Sequence, residues 1–394
     1  MDQEMVAKVL QSLKTNLKDA SLSSLTGDAS SLTVVPLQGG YLNEVFRVTS
    51  ADGSQSCVVK VFLPHAKFAG PSVPLETDRC KRQHEASDYI RSLILDCCEA
   101  SIFCDDVNNI LCLRDFPEHK VWQDDLMTSC DLHLGGKLVD ALVSLHSQSH
   151  VTRLGQAGFA KLKEQFSLLP KLMELQHSYT FVKPFQPNHR DNKPCDEKVR
   201  VKVDEVIHDA VVIKAMQLAE DWLLQENATC LIHGDLHSGS VLGKSAGQDI
   251  KIIDTECARA GPEAFDVARL VCSYVLLYHY HHQKTGQGVG SSRCDHTQLM
   301  ADTVDLICIT LSRYMEGMSK ALQENFDKHL VWKQILLFMG IEIIAWISGP
   351  MSLTCLESFP EAQIFCLNTA LRLLHRQTLS LDARGVSQLI HDSH

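Results

Sequence analysis

The stretch that decides the fold lies in the second half of the chain and reads Leu231-Ile232-His233-Gly234-Asp235-Leu236-His237-Ser238-Gly239-Ser240-Val241-Leu242. Two short apolar runs flank a polar loop that has one carboxylate, Asp235, at its centre. Nineteen residues after Asp235, the apolar segment Ile250–Ile253 leads into Asp254-Thr255-Glu256. This pattern predicts two hairpin-linked strands that would bring Asp235 and Asp254 onto neighbouring loops.

Two carboxylates arranged in this way suit phosphoryl transfer. One of them, Asp235, would accept or orient the attacking hydroxyl, and the other, Asp254, would hold a magnesium ion on the phosphates. Glu256 would add a second oxygen ligand of the kind that magnesium prefers. A lone His-x-Asp or a strand-terminal Asp is common in ordinary turns, so the prediction depends on the two motifs occurring together and in this order.

A β-rich region near the N-terminus adds residues that could bind phosphate. Gly39 and Gly40 lie between two predicted strands, where a backbone without side chains can approach a phosphate closely. Lys60 lies inside the apolar strand Val58–Phe62 and needs an anionic partner, for which we expect Glu85 on the following helix. The ordinary alternatives are a glycine turn and a lysine whose ammonium reaches solvent from a strand edge.

The order of predicted elements indicates an α+β fold in two parts. We expect a nucleotide-binding domain at 1–116, rich in strands, and a catalytic and substrate-binding domain at 117–394 that is mostly helical. Hydrophobic periodicity supports these assignments. The predicted strands are 32–37, 43–48, 57–63 and 110–116, and the predicted helices are 79–97, 132–146, 201–224, 264–278, 298–322, 333–347 and 361–375.

Composition excludes several classes of protein. The chain has 394 residues and a formal net charge of -11, without the clustered Lys and Arg of a nucleic-acid surface. Its 15 cysteines are scattered and include no C-x-x-C pair, so we expect reduced thiols in the cytoplasm and no zinc site. Asp2 and Glu4 argue against a signal peptide, and Glu342 interrupts the apolar stretch 335–351, which we expect to be a core helix rather than a membrane span.

Two other chemistries fit the sequence less well. The segment Gly239–Ser245 is similar to a P-loop but has only three residues between its glycines, where the motif needs four. His233, Asp235 and His237 could be metal ligands of a hydrolase only if the loop were extended, and no further histidine cluster supports such a site.

The same residues resemble a known family. The loop His233–His237 is similar to the catalytic loop of the aminoglycoside phosphotransferase and choline kinase group. More closely, the chain resembles the methylthioribose kinases of methionine salvage, over most of its length. Their variant loop has Ser at the position of Ser240, where other kinases have Asn, and their Asp-x-Glu motif matches Asp254–Glu256. Further matching segments are Asn43–Val48, Pro74–Arg79, Glu85-Ala86, Gly261-Pro262, Phe265-Asp266 and Gly340–Glu342.

This resemblance implies a two-lobed protein-kinase-like fold, ATP and Mg²⁺ as cofactors, 5-methylthioribose as acceptor, and a cytoplasmic homodimer. Asp235 would be the catalytic base, and Asp254 and Glu256 would be the metal ligands. The implied nucleotide-binding residues are Gly39, Gly40, Asn43, Lys60, Glu85, Ser240, Thr255 and the adenine hinge Arg114-Asp115-Phe116. The implied acceptor-binding residues are Asp235, His233, Ala345 and Trp346.

One departure from the family concerns the acceptor. The family carries two arginines that hold the substrate sugar, where this chain has Ala345 and Trp346. Neither residue supplies a guanidinium fork, although Arg190 or Arg259 could compensate. The alternatives are therefore a kinase of the same fold for another sugar, an amino alcohol or an amino acid, and a non-catalytic nucleotide-binding protein. The absence of Asp-Phe-Gly argues against a protein kinase.

Overall fold

The computed structural model describes residues 3–26, 31–37, 40–167, 169–186, 188–193, 195–223, 225–245, 249–285, 294–351, 353–376 and 382–393. Gly39, a predicted phosphate-binding residue, lies outside these ranges. The chain forms two compact units. The first comprises Met1–His119, Leu168–Met173 and Lys251–Ala258, and the second comprises Lys120–Ser167, Glu174–Ile250 and Arg259–His394.

The first unit is built on an antiparallel five-stranded sheet in the order β1-β2-β3-β5-β4. Alternating apolar residues form its central strands, as the sequence predicts, whereas β4 was not predicted. The elements are α1 (Gln3–Asn16), β1 (Thr33–Pro36), β2 (Glu44–Thr49), β3 (Ser56–Val61), α2 (Arg79–Ile94), β4 (Ser101–Asp105) and β5 (Ile110–Arg114).

The alternation of β3 decides where Lys60 lies. Val59 and Val61 face the larger core, which also contains Val9 and Leu13 of α1. Because successive strand residues point to opposite faces, Lys60 shares the other face with Val58. On that face Val58 packs against a cluster that includes Cys80 of α2. The strand therefore directs the lysine towards the side of the sheet that α2 covers.

The second unit is mainly helical, and many of its helices begin at an aspartate whose side chain accepts a backbone N–H of the first turn. Such caps are Asp131, Asp196, Asp209, Asp295, Asp327 and Asp382. The helices from residue 122 onward are α3 (Trp122–Leu126), α4 (Leu132–Gln148), α5 (Val151–Gln165), α6 (Pro170–His177), α7 (Glu197–Ile207), α8 (Ala210–Trp222), α9 (Glu263–Thr285), α10 (His296–Leu322), α11 (Lys328–Ser348), α12 (Pro360–His375) and α13 (Ala383–His391).

The short strands around the central loop pair only in part as predicted. The strand before the loop, β7 (Cys230–Ile232), pairs antiparallel with β10 (Arg259–Gly261). The strand after the loop, β8 (Val241–Lys244), lies between β6 (Lys120–Val121) and β9 (Asp249–Ile252). The predicted hairpin is thus present as β8 and β9, which are hydrogen-bonded neighbours, but it is joined by β6 and the strand before the loop pairs elsewhere, with β10.

The apolar helix α11 is a core element, as the sequence predicts. It packs on α8, α9 and α12. Among the described residues it is the helix long and apolar enough to cross a membrane, with a mean hydropathy of 1.8, yet 72% of that apolar window is buried inside the protein.

The predicted domain boundary after residue 116 stays a prediction, because compactness within one chain does not test independent folding.

Candidate active site

Lys60 on β3 is a buried cation surrounded by hydrogen-bond acceptors. Its Nζ donates to Oε1 of Gln83 at 2.8 Å, forms an ion pair with Asp254, and lies 3.9 Å from Oε1 of Glu256. Burial lowers the pKa of Lys60, but Asp254, Glu256 and Glu99 raise it by more, so that the pKa lies above its ordinary value. The ammonium therefore stays charged at neutral pH.

The predicted pairing of Lys60 with Glu85 is wrong. Glu85 lies near Arg82 instead, with 4.0 Å between Oε2 and Nη1. Residues two positions apart on a helix point in nearly opposite directions. Since Gln83 is fully buried on the inner side of α2, Glu85 faces away from the lysine. A neutral amide, and not a carboxylate, is thus the partner that α2 offers to Lys60.

Glu99 connects this amide to the loop that carries Asp254. Its Oε1 accepts a hydrogen bond from Nε2 of Gln83 at 2.7 Å, and its Oε2 accepts the backbone N–H of Asp254 at 3.1 Å. The hydroxyl of Thr255 also donates to Glu99, at 3.0 Å. Thr255 is completely buried and has a structural role here, and its expected role in nucleotide binding stays a prediction. Glu99 was missed by the sequence analysis.

Asp254 itself is held in an unusual conformation. Its backbone lies in the left-handed region, with φ 71° and ψ 47°, which non-glycine residues adopt rarely. Its side chain is 49% exposed, although its partner Lys60 is buried. A carboxylate that is fixed at its backbone and open to solvent at its oxygens is available to a ligand.

Glu256, unlike Asp254, is a buried carboxylate. It is 4% exposed and bonded to the fully buried Arg79, with 2.7 Å between Nη1 and Oε2. The amide of Asn43 bridges the pair: its Nδ2 donates to Glu256 at 2.9 Å, and its Oδ1 accepts from Arg79 at 3.0 Å. Burial raises the pKa of Glu256, and Lys60 and Arg79 oppose that rise.

These contacts concern Asn43 and Gly40, which the sequence predicts to bind phosphate. Both ends of the Asn43 amide are bonded inside the protein, and the residue is 2% exposed, so it orients Glu256, and its expected phosphate contact stays a prediction. Position 40 requires glycine for a steric reason, because a Cβ there would lie 2.8 Å from the carbonyl oxygen of Asn43. Arg79, which completes this group, was not singled out as a site residue.

The predicted adenine hinge follows the end of β5. Asp115 accepts hydrogen bonds from Arg47 at 3.1 Å and from Ser56 at 2.7 Å, so its side chain braces the sheet. Arg114 lies 3.4 Å from Asp19. The segment leads out of the sheet at the point where a hinge would be, and its contact with adenine stays a prediction.

In the second unit, Asp266 fixes the loop that carries Asp235. This carboxylate, at the start of α9, accepts the backbone N–H groups of His233 at 2.7 Å and Gly234 at 2.9 Å. Gly234 has φ 79°, a conformation that favours glycine. Burial raises the pKa of Asp266, but its interactions with His146 and His233 and the hydrogen bond from the backbone of Gly234 lower it by more. The loop is therefore held by a buried, ionised carboxylate.

His233 and Ser240, which were predicted to contact ligands, form hydrogen bonds within this loop. His233 is fully buried, and its Nδ1 accepts the backbone N–H of Asp235 at 3.2 Å. The hydroxyl of Ser240 lies 3.1 Å from the carbonyl oxygen of Asp235 and accepts the N–H of His237 at 2.9 Å. These hydrogen bonds give both residues a structural role in the loop, and their expected contacts with acceptor and nucleotide stay predictions.

Asp235 has an arginine partner that the sequence analysis missed. Nη2 of Arg269 lies 2.5 Å from Oδ1 of Asp235, and Nη1 lies 3.0 Å from Oε1 of Glu342. The Asp235 side chain is 39% exposed, whereas that of Arg269 is 10% exposed. Burial raises the pKa of Glu342, and Arg269 opposes that rise. The candidate base is thus an accessible carboxylate held by a nearly buried guanidinium.

The residues at the family's arginine positions differ in exposure. Trp346 is half-buried; its side chain hydrogen-bonds to Glu342, and its ring meets that of His237 edge-on at 5.6 Å. Ala345 is 6% exposed and lies in the core. Trp346 is therefore connected to the candidate base through Glu342 and Arg269, and the acceptor contacts expected of Ala345 and Trp346 stay predictions.

The two arginines suggested as compensating donors, Arg190 and Arg259, contact other residues. The Arg190 side chain is 90% exposed and lies 3.5 Å from Asp191. Arg259 is 8% exposed, and its guanidinium stacks over the ring of Phe265 at 5.5 Å. The guanidinium at the base comes from Arg269 instead.

Comparison with known proteins identifies the family. The model of the phosphotransferase enzyme family, APH, matches residues 33–283. The chain belongs to this phosphotransferase family. A methylthioribose kinase of Bacillus cereus strain G9842 is 27% identical over 239 residues, which cover 60% of this chain and 58% of the relative. That of strain AH820 is 26% identical over 246 residues, with the same coverage. The match thus spans less than two thirds of the relatives' length.

The fold of this phosphotransferase has a solved counterpart. The choline kinase of Cryptosporidium parvum Iowa II superposes with a TM-score of 0.53 at 14% sequence identity, and the alignment covers 98% of each chain. At this identity the likeness shows the fold alone. The α+β, two-lobed protein-kinase-like fold expected from the sequence is confirmed.

The acidic residues of the first unit fit a magnesium ion better than a metal that needs a protein cage. Among the described residues there is no group of three or more His, Cys, Asp or Glu side chains that could hold a metal by themselves. Magnesium commonly uses one or two carboxylates together with water and substrate phosphates. Asp254, with its exposed oxygens, fits that use directly, and Glu256 fits it through the lone pairs that its carboxylate keeps beside Arg79.

The residues missed by the sequence analysis share one signal. Each is a charged or amide side chain placed where the surrounding pattern calls for a buried residue. Arg269 is the clearest example, because it interrupts the apolar run Val267–Val271 of α9. Such a residue needs a partner inside the protein, but the pattern does not name the partner. The others are Arg79, Gln83, Glu99 and Asp266.

Proposed function

We propose that this phosphotransferase is an ATP- and magnesium-dependent kinase that transfers the γ-phosphoryl group to a hydroxyl of a small molecule. The observation that carries the proposal is the group around Asp254. The ammonium group of Lys60 is buried and charged. It forms an ion pair with the carboxylate of Asp254, which is 49% exposed. A magnesium–triphosphate complex would satisfy both charges at once.

Each residue has a distinct task in this proposal. Lys60 neutralises phosphate oxygens, and Asp254 and Glu256 would hold magnesium, which supplies further positive charge at the phosphates. Asp235 orients the acceptor hydroxyl and accepts its proton. Keeping all four residues has no evident purpose in a protein that only binds nucleotide, which favours the kinase over the non-catalytic alternative.

For the acceptor we propose 5-methylthioribose first, with 5-methylthioribose 1-phosphate as product. The support is the similarity to the methylthioribose kinases of Bacillus cereus, at 26–27% identity. The reason to test other acceptors is the pair Ala345-Trp346, which lacks the family's two guanidinium groups. The alternatives are another sugar, an amino alcohol or an amino acid.

An ADP-release assay with a panel of these acceptors tests the proposal. We expect turnover that requires magnesium, ATP and one acceptor of the panel. If the protein binds magnesium and ATP but releases no ADP with any acceptor, the kinase proposal fails and the nucleotide-binding alternative stands.

A further inference from the structure

We infer that Glu99 is the positioning residue of the nucleotide site: one buried carboxylate holds both the ammonium of Lys60 and the carboxylate of Asp254 where a magnesium–triphosphate complex needs them. This inference rests on the proposed kinase function and adds a residue that acts through its neighbours. Glu99 lies between α2 and β4 and is 3% exposed. It receives hydrogen bonds from α2 on one side and from the Asp254 loop on the other.

The first argument is the backbone conformation of Asp254. Its φ of 71° and ψ of 47° are left-handed, and a 3-10 turn begins at Thr255 directly after it. Two successive residues of this kind direct their N–H groups into one concave site that favours an anion. Glu99 supplies that anion: its Oε2 accepts the N–H of Asp254 at 3.1 Å, and its Oε1 accepts the N–H of Thr255 at 3.4 Å. A conformation that is unfavourable for an aspartate by itself is therefore stabilised by Glu99.

The second argument is the orientation of the Gln83 amide. Its Oε1 accepts from Nζ of Lys60 at 2.8 Å, and its Nε2 donates to Oε1 of Glu99 at 2.7 Å. An amide that turned over would exchange its oxygen for its NH2 group and place a donor against the ammonium. Because a carboxylate only accepts hydrogen bonds, Glu99 selects the orientation that offers the amide oxygen to Lys60. The hydroxyl of Ser87, one turn further along α2, also donates to Glu99, at 2.8 Å.

These contacts connect the two charges that would meet the nucleotide. Lys60 and Asp254 are 194 positions apart in the chain. Glu99 is bonded to the amide that holds the first and to the backbone of the second. Loss of the Gln83 side chain therefore affects the lysine, whereas loss of the Glu99 carboxylate affects both the lysine and the metal-binding aspartate.

The experiment measures nucleotide and magnesium binding without turnover. A fluorescent ATP analogue is titrated first in excess EDTA and then at rising magnesium concentrations. This gives a magnesium-free dissociation constant and the factor by which magnesium tightens binding. The variants are Glu99→Gln, Gln83→Ala and the two combined. Ser12→Ala is the control for general destabilisation, because it removes a buried hydrogen bond to Asp105 in the same unit.

We expect Gln83→Ala to weaken magnesium-free binding by about three- to tenfold and to leave the tightening by magnesium within about twofold. Glu99→Gln should weaken magnesium-free binding to a similar degree. It should also reduce the tightening by about fivefold or more, since the Asp254 backbone loses its charged acceptor. The combined variant should bind magnesium-free nucleotide within about twofold of Glu99→Gln, because both changes break the same hydrogen bond. Ser12→Ala should lower stability and leave both binding quantities unchanged.

A tightening by magnesium that Glu99→Gln leaves intact would overturn the inference, as would equal effects of Ser12→Ala and Glu99→Gln on the two binding quantities. If Glu99→Gln does not fold, as judged by near-UV circular dichroism, Glu99→Asp decides. That variant keeps the charge but is one methylene shorter, so the tightening should again fall, and an unchanged tightening overturns the inference.

The same measurements separate this inference from the proposed function. Binding that depends on Glu99 as expected, in a protein that releases no ADP with any acceptor, would refute the kinase proposal and leave the inference standing. ADP release by Glu99→Gln with the magnesium requirement of the unmodified protein would do the reverse. An unmodified protein that binds no nucleotide in either condition would overturn both.

Discussion

Asp254 and Glu256, two acidic residues of the first unit, differ in burial, and we expect their roles to differ for that reason. Asp254 is half exposed and bonded to Lys60, whereas Glu256 is 4% exposed and bonded to the fully buried Arg79. Removing a carboxylate from these two places has different consequences, since Lys60 keeps Gln83 and Glu256 beside it when Asp254 is removed, whereas Arg79 loses the carboxylate with which it is paired when Glu256 is removed. The sequence, which places both in one Asp-x-Glu motif, gives no hint of this difference.

Replacing each carboxylate with alanine separates the two roles. Asp254→Ala should raise the magnesium concentration needed for half-maximal activity and destabilise the protein less than Glu256→Ala does, because Lys60 keeps Glu256 and Gln83 as neighbours. Glu256→Ala should also raise it, less strongly, and destabilise the protein by about 3–5 kcal/mol, because it leaves Arg79 buried without its ion-pair partner. Magnesium titration of activity and urea unfolding measure the two effects. Equal losses of stability in both variants would contradict this division.

The partner of Lys60 gives a second prediction at this scale. Lys60→Ala should weaken ATP binding most, because the triphosphate loses its charge partner. Gln83→Ala should weaken it by about three- to tenfold, because the ammonium loses a positioning hydrogen bond. Glu85→Ala is the matched control on the same helix and should have almost no effect. Titration with a fluorescent nucleotide measures all three, and an equal loss in Glu85→Ala would restore the original pairing.

Asp235→Asn tests the candidate base. The substitution keeps the size of the side chain but removes the charge that accepts a proton, and we expect turnover to fall by about 10²–10⁴-fold. Nucleotide affinity should persist, because Asp235 is not among the nucleotide residues. Single-turnover kinetics and nucleotide titration check the two statements. Near-normal turnover in this variant would assign the base to another residue.

At the scale of elements, α9 contacts both the loop before Asp235 and the side chain of Asp235. It begins at Glu263, and its first two turns carry Asp266 and Arg269. One side of this helix therefore holds the backbone before Asp235, and the next turn contacts the Asp235 side chain. Because both contacts come from one rigid helix, a change in either is expected to move the base relative to its acceptor.

Asp266→Asn should destabilise the protein by about 1–3 kcal/mol, because Asn has one acceptor oxygen where both Asp oxygens accept backbone N–H groups. The effect should depend on pH. The pKa of Asp266 is lowered in the folded protein, so its stabilisation is complete above the ordinary carboxyl pKa. It is lost as the pH falls below about 3.9 and on through the folded pKa.

Urea unfolding of both proteins between about pH 6 and pH 3.5 measures this difference, in a window set by the ordinary aspartate pKa. The stability gap between the unmodified protein and Asp266→Asn should narrow towards the acid end. A gap that is constant or widens as the pH falls would show that Asp266 is not held ionised by His146 and the loop.

At the scale of the whole molecule, the resemblance to the methylthioribose kinases predicts a homodimer. Light scattering coupled to size exclusion should then report twice the chain mass of 43.9 kDa. Dilution into the nanomolar range tests how tightly the two copies associate. A single-chain mass at micromolar concentration would contradict the prediction without affecting the proposed chemistry, since the residues assigned to it come from one chain.

The sequence was informative wherever a pattern is local. Alternation placed β2 and β3, helical periodicity placed α2, α9, α10, α11 and α12, and spacing singled out Lys60, Asp235 and Asp254. It failed where a local signal was weak: the predicted helix 201–224 is two helices, α7 and α8, separated at Asp209, whose side chain caps the second. An aspartate that caps a helix is difficult to distinguish from one on a solvated helix face.

The sequence by itself determined the fold class, the family and the carboxylates of the candidate site, because each depends on residues close together in the chain. Only the tertiary structure decided the partners. Asn43 meets Glu256 across 213 positions, and Arg269 meets Glu342 across 73. A buried polar side chain must find a partner, but which one it finds depends on how the elements pack, and periodicity within each element carries no information about that.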